Sequence, residues 1–271
     1  MSIAPGISIL MYHQVGKFPP MRAHRANYCD HRRFAAQMGL IARLGWPVLD
    51  LDTALACLRG ERPLPRHALA LTFDDGYEGF LEYALPVLQR YGFPATIYAI
   101  SNWLGRRAEW FAKDPGRPIP RLLSGSQLRD LREAGIAIGS HTANHAKLAE
   151  LDPHAQRREL SQSKAALEEI LGAPVDHLGY PFGSFNLDTL RAAAESGYRS
   201  ATTCLRGRAE PADHALALPR KAISFGDNLI GLAWKVLAKN RPKPALVEWR
   251  ARLVKHQDCN PRVYDIGPNA R

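Results

Sequence analysis

Cysteine is scarce in this chain: four in 271 residues, at Cys29, Cys57, Cys204 and Cys259, far apart and with no C-x-x-C pair. That spacing offers neither a disulfide framework nor a zinc finger, and it suits free thiols in a reducing compartment. Long apolar runs are missing too, and nothing approaches the ~20 apolar residues of a membrane-spanning helix. Met1 to Gln14 lacks the basic start and apolar stretch of a signal peptide, so the expectation is a cytoplasmic protein, at most at the inner face of a membrane. Acidic residues are in deficit, with 26 Asp and Glu against 36 Lys and Arg, a formal charge of +10. Such an excess favours polyanions or peripheral association with an anionic lipid surface. No helix-turn-helix signal and no RNP-like aromatic motif accompanies it, which argues against a nucleic-acid partner. Composition leaves the oligomeric state open.

Apolar content of 46% and charged content of 23% are those of an ordinary globular enzyme, and the length suits one large α/β barrel or two small domains. Short apolar runs alternate with helical patterns up to about residue 225. Ile7–His13, Leu69–Phe73, Ala95–Ile100, Ile136–Ser140, Val175–Gly179 and Tyr198–Thr203 read as strands, and Leu216–Arg220 begins a last core segment. Between them lie helices such as Arg32–Leu44, stopped by Gly45, one capped by Asp52, and Pro153–Leu171, opened by Asp152 and Pro153. The alternation predicts a parallel sheet or barrel, whose working residues sit at strand C-terminal ends. His13, Asp74, Asp75, His141 and the loop at Tyr180 all fall there. The segment from Trp103 to Pro120, broken by Pro115, Gly116 and Pro118, reads as a long loop whose aromatics either grip a sugar ring or simply pack. Beyond Phe225 two basic helices, Leu229–Lys239 and Leu246–Lys255, are expected to pack back on the barrel or to lie on an anionic membrane.

The most informative stretch is Leu69-Ala70-Leu71-Thr72-Phe73-Asp74-Asp75-Gly76-Tyr77, a buried strand ending in two adjacent carboxylates. Alternation within a strand would point them to opposite faces, so both reach one site only where the chain turns, with Gly76 easing the turn. Crowded acids call for a cation to share their charge. His141 and His145, four apart, would share one face of a helical turn and reach one ion. Two imidazoles and a carboxylate make a three-ligand set with open positions, suited to zinc or a similar divalent metal. The remaining aspartate can then serve as general base toward a water attacking a carbonyl.

Thr72-Phe73-Asp74-Asp75-Gly76, His141-Thr142-Ala143-Asn144-His145 and Tyr180-Pro181-Phe182-Gly183 resemble, in order and spacing, the first three motifs of the polysaccharide deacetylases, the NodB-homology or carbohydrate esterase 4 family. The resemblance covers roughly residues 5–225. It implies a distorted (β/α) barrel at 1–225, with 226–271 as a helical C-terminal extension, and removal of N-acetyl groups from an N-acetylated glycan. It further implies Asp74 as base, Asp75, His141 and His145 as ligands of Zn2+ (or Co2+, Mn2+ or Ni2+), and the backbone of Phe182 as oxyanion donor. Tyr77, Trp110, Tyr180 and Pro181 are the residues expected to meet substrate. The family's arginine before the third motif's proline is absent, as are the later Asp-Trp pair and the Leu-x-His that carries the acid. The chain in this respect is similar to a permuted branch that includes poly-N-acetylglucosamine deacetylases, which implies Tyr12-His13 as the source of the acid and Arg220 as the substitute arginine. Three readings stand at this point: a glycan deacetylase, a catalytically weak or silent glycan-binding protein on the same fold, and a deacetylase or esterase of small molecules.

Overall fold

The computed structural model describes residues 6–111, 118–240 and 243–254. Its strands are β1 (Ser8–Tyr12), β2 (Gln14–Gly16), β3 (Tyr28–Asp30), β4 (Leu69–Phe73), β5 (Thr96–Ala99), β6 (Ala137–Ser140), β7 (His177–Gly179), β8 (Ser200–Arg206) and β9 (Leu218–Ala222). The helices are α1 (His31–Arg43), α2 (Leu51–Leu58), α3 (Leu85–Tyr91), α4 (Gly125–Glu133), α5 (Pro153–Leu171), α6 (Leu187–Glu195), α7 (Leu229–Leu237) and α8 (Pro244–Val254). Among the described residues a closed parallel barrel runs in the order β1-β4-β5-β6-β7-β8-β9, and β2 and β3 form a separate parallel pair. β1 closes the barrel, pairing with β4 on one side and β9 on the other. The alternation of apolar runs leaves a parallel sheet or a barrel open; the closed barrel is the one the family resemblance implies.

Local chemistry accounts for most boundaries. Asp152 accepts from the Ala155 amide, Pro153 sits where no helix donor is needed, and Gly172 closes α5 at φ 61°. The Asp52 cap is a correction: Asp50 is the N-cap of α2, its carboxylate accepting from the Thr53 amide and hydroxyl, while Asp52 lies in the first turn and pairs with Arg199 at 2.6 Å. Both aspartates offer capping chemistry, and the β-region backbone at Asp50 decides between them. In the Trp103–Pro120 segment, Trp103, Trp110 and Phe111 pack with Tyr77, Ile100 and Leu122; Pro115 and Gly116 lie outside the described residues, as do Lys255, His256 and Cys259.

The C-terminal helices pack on the barrel. Lys235 of α7 donates to the Ala222 carbonyl at 2.6 Å, and on α8 Arg250 forks onto Asp213 at 2.6 and 2.8 Å while Trp249 stacks on Phe185 at 4.4 Å. α7 nevertheless leaves Ile230, Trp234 and Leu237 exposed on one outward stripe. Among the described residues no helix is long and apolar enough to cross a membrane.

Candidate active site

The strand ends at β1, β4, β6 and β7 meet around one open cavity of about 510 Å³. At the end of β4 the Asp74 amide still bonds the Tyr12 carbonyl, extending the ladder one residue; then Asp75 and Gly76 both turn left-handed, at φ 72° and 70°. This pair of turns lets neighbouring carboxylates serve one site. Thr142, His145 and Phe182 are left-handed as well, each an arrangement costing ~1–3 kcal/mol that the surroundings must hold. The helical turn expected at His141–His145 is therefore a correction: the loop is irregular. The Ser101 and Asn102 amides bond the Thr142 and Ala143 carbonyls, and Glu159 of α5 takes both the amide and the side chain of Asn144. The imidazoles converge all the same, because the loop folds back on itself.

Nε2 of His141 and Nε2 of His145 each lie 3.2 Å from Asp75 Oδ1, and one ligand atom from each of the three residues falls within 4.8 Å of the others. His141 Nδ1–H donates to the Gly179 carbonyl at 2.6 Å, which leaves the Nε2 lone pair facing Asp75. The Tyr77 hydroxyl donates to Asp75 Oδ2 at 2.6 Å, whereas Oδ1 is buried with no hydrogen-bond partner among the described residues. Burial works to raise the Asp75 pKa, but the two histidines outweigh it and hold the carboxyl well below its ordinary value. Two imidazole nitrogens and a carboxylate oxygen left unbonded among the described residues, gathered at one point, are the donor set a divalent cation takes.

Asp74 lies in different company. Arg220 of β9 grips it with two hydrogen bonds, Nη1 to Oδ1 at 2.6 Å and Nη2 to Oδ2 at 2.8 Å. Arg220 is itself anchored by Nε–H on the Thr203 carbonyl at 2.9 Å and by Nη1–H on Thr72 Oγ1 at 3.2 Å. Burial pushes the Asp74 pKa up; Arg220, with His141 and His13, outweighs it, so the group stays ionised. His13 Nε2 stands 3.9 Å from Asp74 Oδ2 in the cavity wall, and its Nδ1 is buried without a hydrogen-bond partner among the described residues.

Trp110 and Phe182 flank His145 at ring distances of 5.1 and 4.6 Å and line the cavity; the Phe182 ring is 61% exposed. Three residues expected to meet substrate do not line it. Tyr180 is fully buried, its hydroxyl donating to the Leu216 carbonyl at 2.9 Å and its ring stacked on Phe185; Pro181 is buried beneath the same turn; and Tyr77 is spent on Asp75. The apolar bodies of these residues are worth more in the core than at a wet rim. Conversely, Met11, His24, Ala26, Asn27 and Cys204 line the cavity with no signal in the sequence. The Phe225 amide, just beyond β9 where it returns to β1, bonds the Arg25 carbonyl and ties down the 24–27 stretch there.

Comparison with known proteins places this geometry in context. The profile of the polysaccharide deacetylase family matches residues 61–201. The Bacillus subtilis (strain 168) protein YxkH, provisionally named a polysaccharide deacetylase, is 29% identical over 220 residues, covering 81% of this chain and 72% of its own. The poly-beta-1,6-N-acetyl-D-glucosamine N-deacetylase of Escherichia coli (strain K12) is 29% identical over 111 residues, 40% of this chain and only 16% of that longer protein. Among solved structures, the Streptococcus pyogenes deacetylase PplD in complex with acetate superposes with a TM-score of 0.73 at 27% identity, covering 86% of this chain and 99% of that one. With the family profile spanning the β4 carboxylates and the His141–His145 loop, and the barrel shared with a solved deacetylase, this chain belongs to the polysaccharide deacetylase family.

Proposed function

We propose that this chain is a metal-dependent hydrolase that removes N-acetyl groups from an amino-sugar polymer or a lipid-linked glycan. The observation that carries the reading is the division of labour between adjacent carboxylates: Asp75 offers a bare oxygen between two imidazoles, while Asp74 is clamped ionised by Arg220. Asp75, His141 and His145 would hold the ion, zinc first, with cobalt, manganese or nickel as alternatives. Once bound, such an ion polarises an amide carbonyl and acidifies a water.

The chain's own residues supply the rest. Asp74 takes the proton of the attacking water, its two oxygens aligned by the guanidinium fork. The Phe182 amide, at a left-handed turn on the cavity rim, donates to the oxyanion. His13, protonated at Nε2, gives its proton to the nitrogen as the C–N bond breaks, leaving acetate and a free amine. Two of the three motif departures that raise the silent-protein reading lose force on this proposal: Arg220, bonded to Asp74, would orient the base, and His13, 3.9 Å from Asp74, would supply the acid. The poly-beta-1,6-N-acetyl-D-glucosamine deacetylase among the relatives supports an N-acetylglucosamine polymer as the first substrate to try.

The test is acetate release from N-acetylglucosamine oligosaccharides by protein stripped with a chelator and reloaded with Zn2+, Co2+ or Mn2+. Turnover is expected on reloading, to be abolished in Asp74→Asn and reduced ~10²–10⁴-fold in kcat by His13→Ala. A folded, metal-loaded chain that binds the oligosaccharide without releasing acetate would replace this proposal by the glycan-binding reading. Activity left intact by His13→Ala would remove that residue as the acid.

A further inference from the structure

On the β8–β9 side of the barrel lies a second cavity, of about 260 Å³, lined by Cys204 and by five cationic side chains: Arg206, Arg220, Lys221, Lys235 and Lys239. None of its described lining residues is acidic. Two of the five charges are answered nearby, Arg220 by Asp74 and Lys235 by Asp227. Among the described residues no acidic side chain bonds the other three, although the Asp227 carboxylate also acts on Lys239. Lys221 is surrounded by neutral oxygens, donating to Ser8 Oγ at 2.9 Å and Asn240 Oδ1 at 2.7 Å. Lys239 rests over the Trp234 ring, 4.1 Å from its centroid. Arg206 Nε is buried with no hydrogen-bond partner among the described residues.

Like charges gathered in a concave, partly desolvated space repel one another, and an unpaired guanidinium N–H there is costly. Burial, together with Arg206 and Lys235, holds the Lys239 pKa below its ordinary value, and burial with Arg208 pushes Lys221 down to about 7. An incoming anion would relieve both penalties. We propose that this cavity is a binding site for a phosphoester anion. A phosphate presents several acceptor oxygens and up to two charges, which fits a guanidinium donor beside two ammonium groups better than a single carboxylate does. The cavity adjoins the reaction pocket: Cys204 lines both, and Arg220 of this cavity grips Asp74 of the other. α7, which contributes Lys235, turns Ile230, Trp234 and Leu237 outward at spacings of four and three, 78%, 55% and 43% exposed. An apolar chain attached to the phosphate would find cover on that stripe.

The test is calorimetric and needs no turnover, so its outcome is independent of the proposed hydrolysis. Metal-loaded full-length protein is titrated with inorganic pyrophosphate at constant ionic strength. Saturable one-to-one binding is expected, weakened at least ~10-fold by Arg206→Gln and by Lys239→Gln and unchanged by Arg90→Gln on α3. Lys239 is half-buried at a helix end, so Lys239→Gln keeps the measurement available if Arg206→Gln fails to fold. Two further probes identify the source: glycerol phosphate, and phosphatidylglycerol vesicles set against phosphatidylcholine vesicles. Binding to the anionic vesicles that is lost in both Lys239→Gln and Trp234→Ala supports the site and names a lipid phosphate. Binding of glycerol phosphate with vesicles inert supports it and names a soluble phosphoester. No binding of any probe overturns the proposal, as does pyrophosphate binding that survives Arg206→Gln and Lys239→Gln, whether or not it vanishes in His145→Ala.

Discussion

Asp75 has two oxygens in different states, and Tyr77 makes the difference. By donating to Oδ2 at 2.6 Å, the phenol holds the carboxylate in one rotamer and leaves Oδ1 facing the imidazoles. Partners of this kind typically account for ~10–100-fold in metal affinity. Tyr77→Phe is therefore expected to raise the Zn2+ dissociation constant by that order, read by competition with a chromophoric chelator on a folded variant. Unchanged affinity would reduce Tyr77 to core packing. Arg220 acts on Asp74 in the same indirect manner, and Gly179 on His141 through its carbonyl. At this scale the candidate site consists of two carboxylates made unlike by their neighbours.

Among the barrel strands, β5, β6 and β7 carry a packing relation that holds the site open. Tyr98 projects from β5 into the barrel interior, stacked on His141 at 6.3 Å and lying beneath the Arg220 guanidinium at 5.7 Å. It fits only because its neighbours on β6 and β7 are glycine: a Cβ at Gly139 would stand 2.6 Å from the Tyr98 ring, and one at Gly179 2.7 Å from the ring and 3.2 Å from His141 Nδ1. Overpacking of this sort costs ~1–3 kcal/mol. Gly179→Ala should accordingly lower the melting temperature by several degrees and displace His141, with Tyr98→Leu in the same chain restoring part of the loss. A melting temperature unmoved by Gly179→Ala would show that the interior can relax around the added methyl group. The glycine at 179 is thus a requirement of volume rather than of backbone angle.

Charge is the property that belongs to the whole molecule, and Lys221 shows how the fold spends it. Burial and Arg208 lower its pKa from 10.5 to about 7 in the folded chain. Below that value folded and unfolded chains both carry the proton, and the penalty is constant and complete. Between about 7 and 10.5 the unfolded chain holds a proton that the folded chain has lost, so stability rises with pH across that window. Relative to Lys221→Met, wild-type protein should gain denaturant stability as pH climbs from neutrality, in phosphate-free buffers. Parallel curves for the two proteins would mean that Lys221 is ordinary in charge.

What the sequence determined by itself was chemistry within short reach. Alternating apolar runs, the Asp152-Pro153 cap and terminating glycines are local properties of backbone and side chain, and they lay down the strands, the helices and a parallel α/β class. The two carboxylates at the end of β4 and the histidine pair after β6 were legible for the same reason, although the helical turn invoked for the pair was not what formed. Closure of the barrel decided the rest. Arg220 meets Asp74 across 146 positions only because β9 returns to β1, and the same closure brings the 24–27 stretch to the cavity. Tyr180 and Pro181 went into the core, and five cations gathered beside β9, because burial and long-range register are set by the packed whole. Proximity in the chain specifies angles and caps; only the folded barrel specifies which distant charges must face one another.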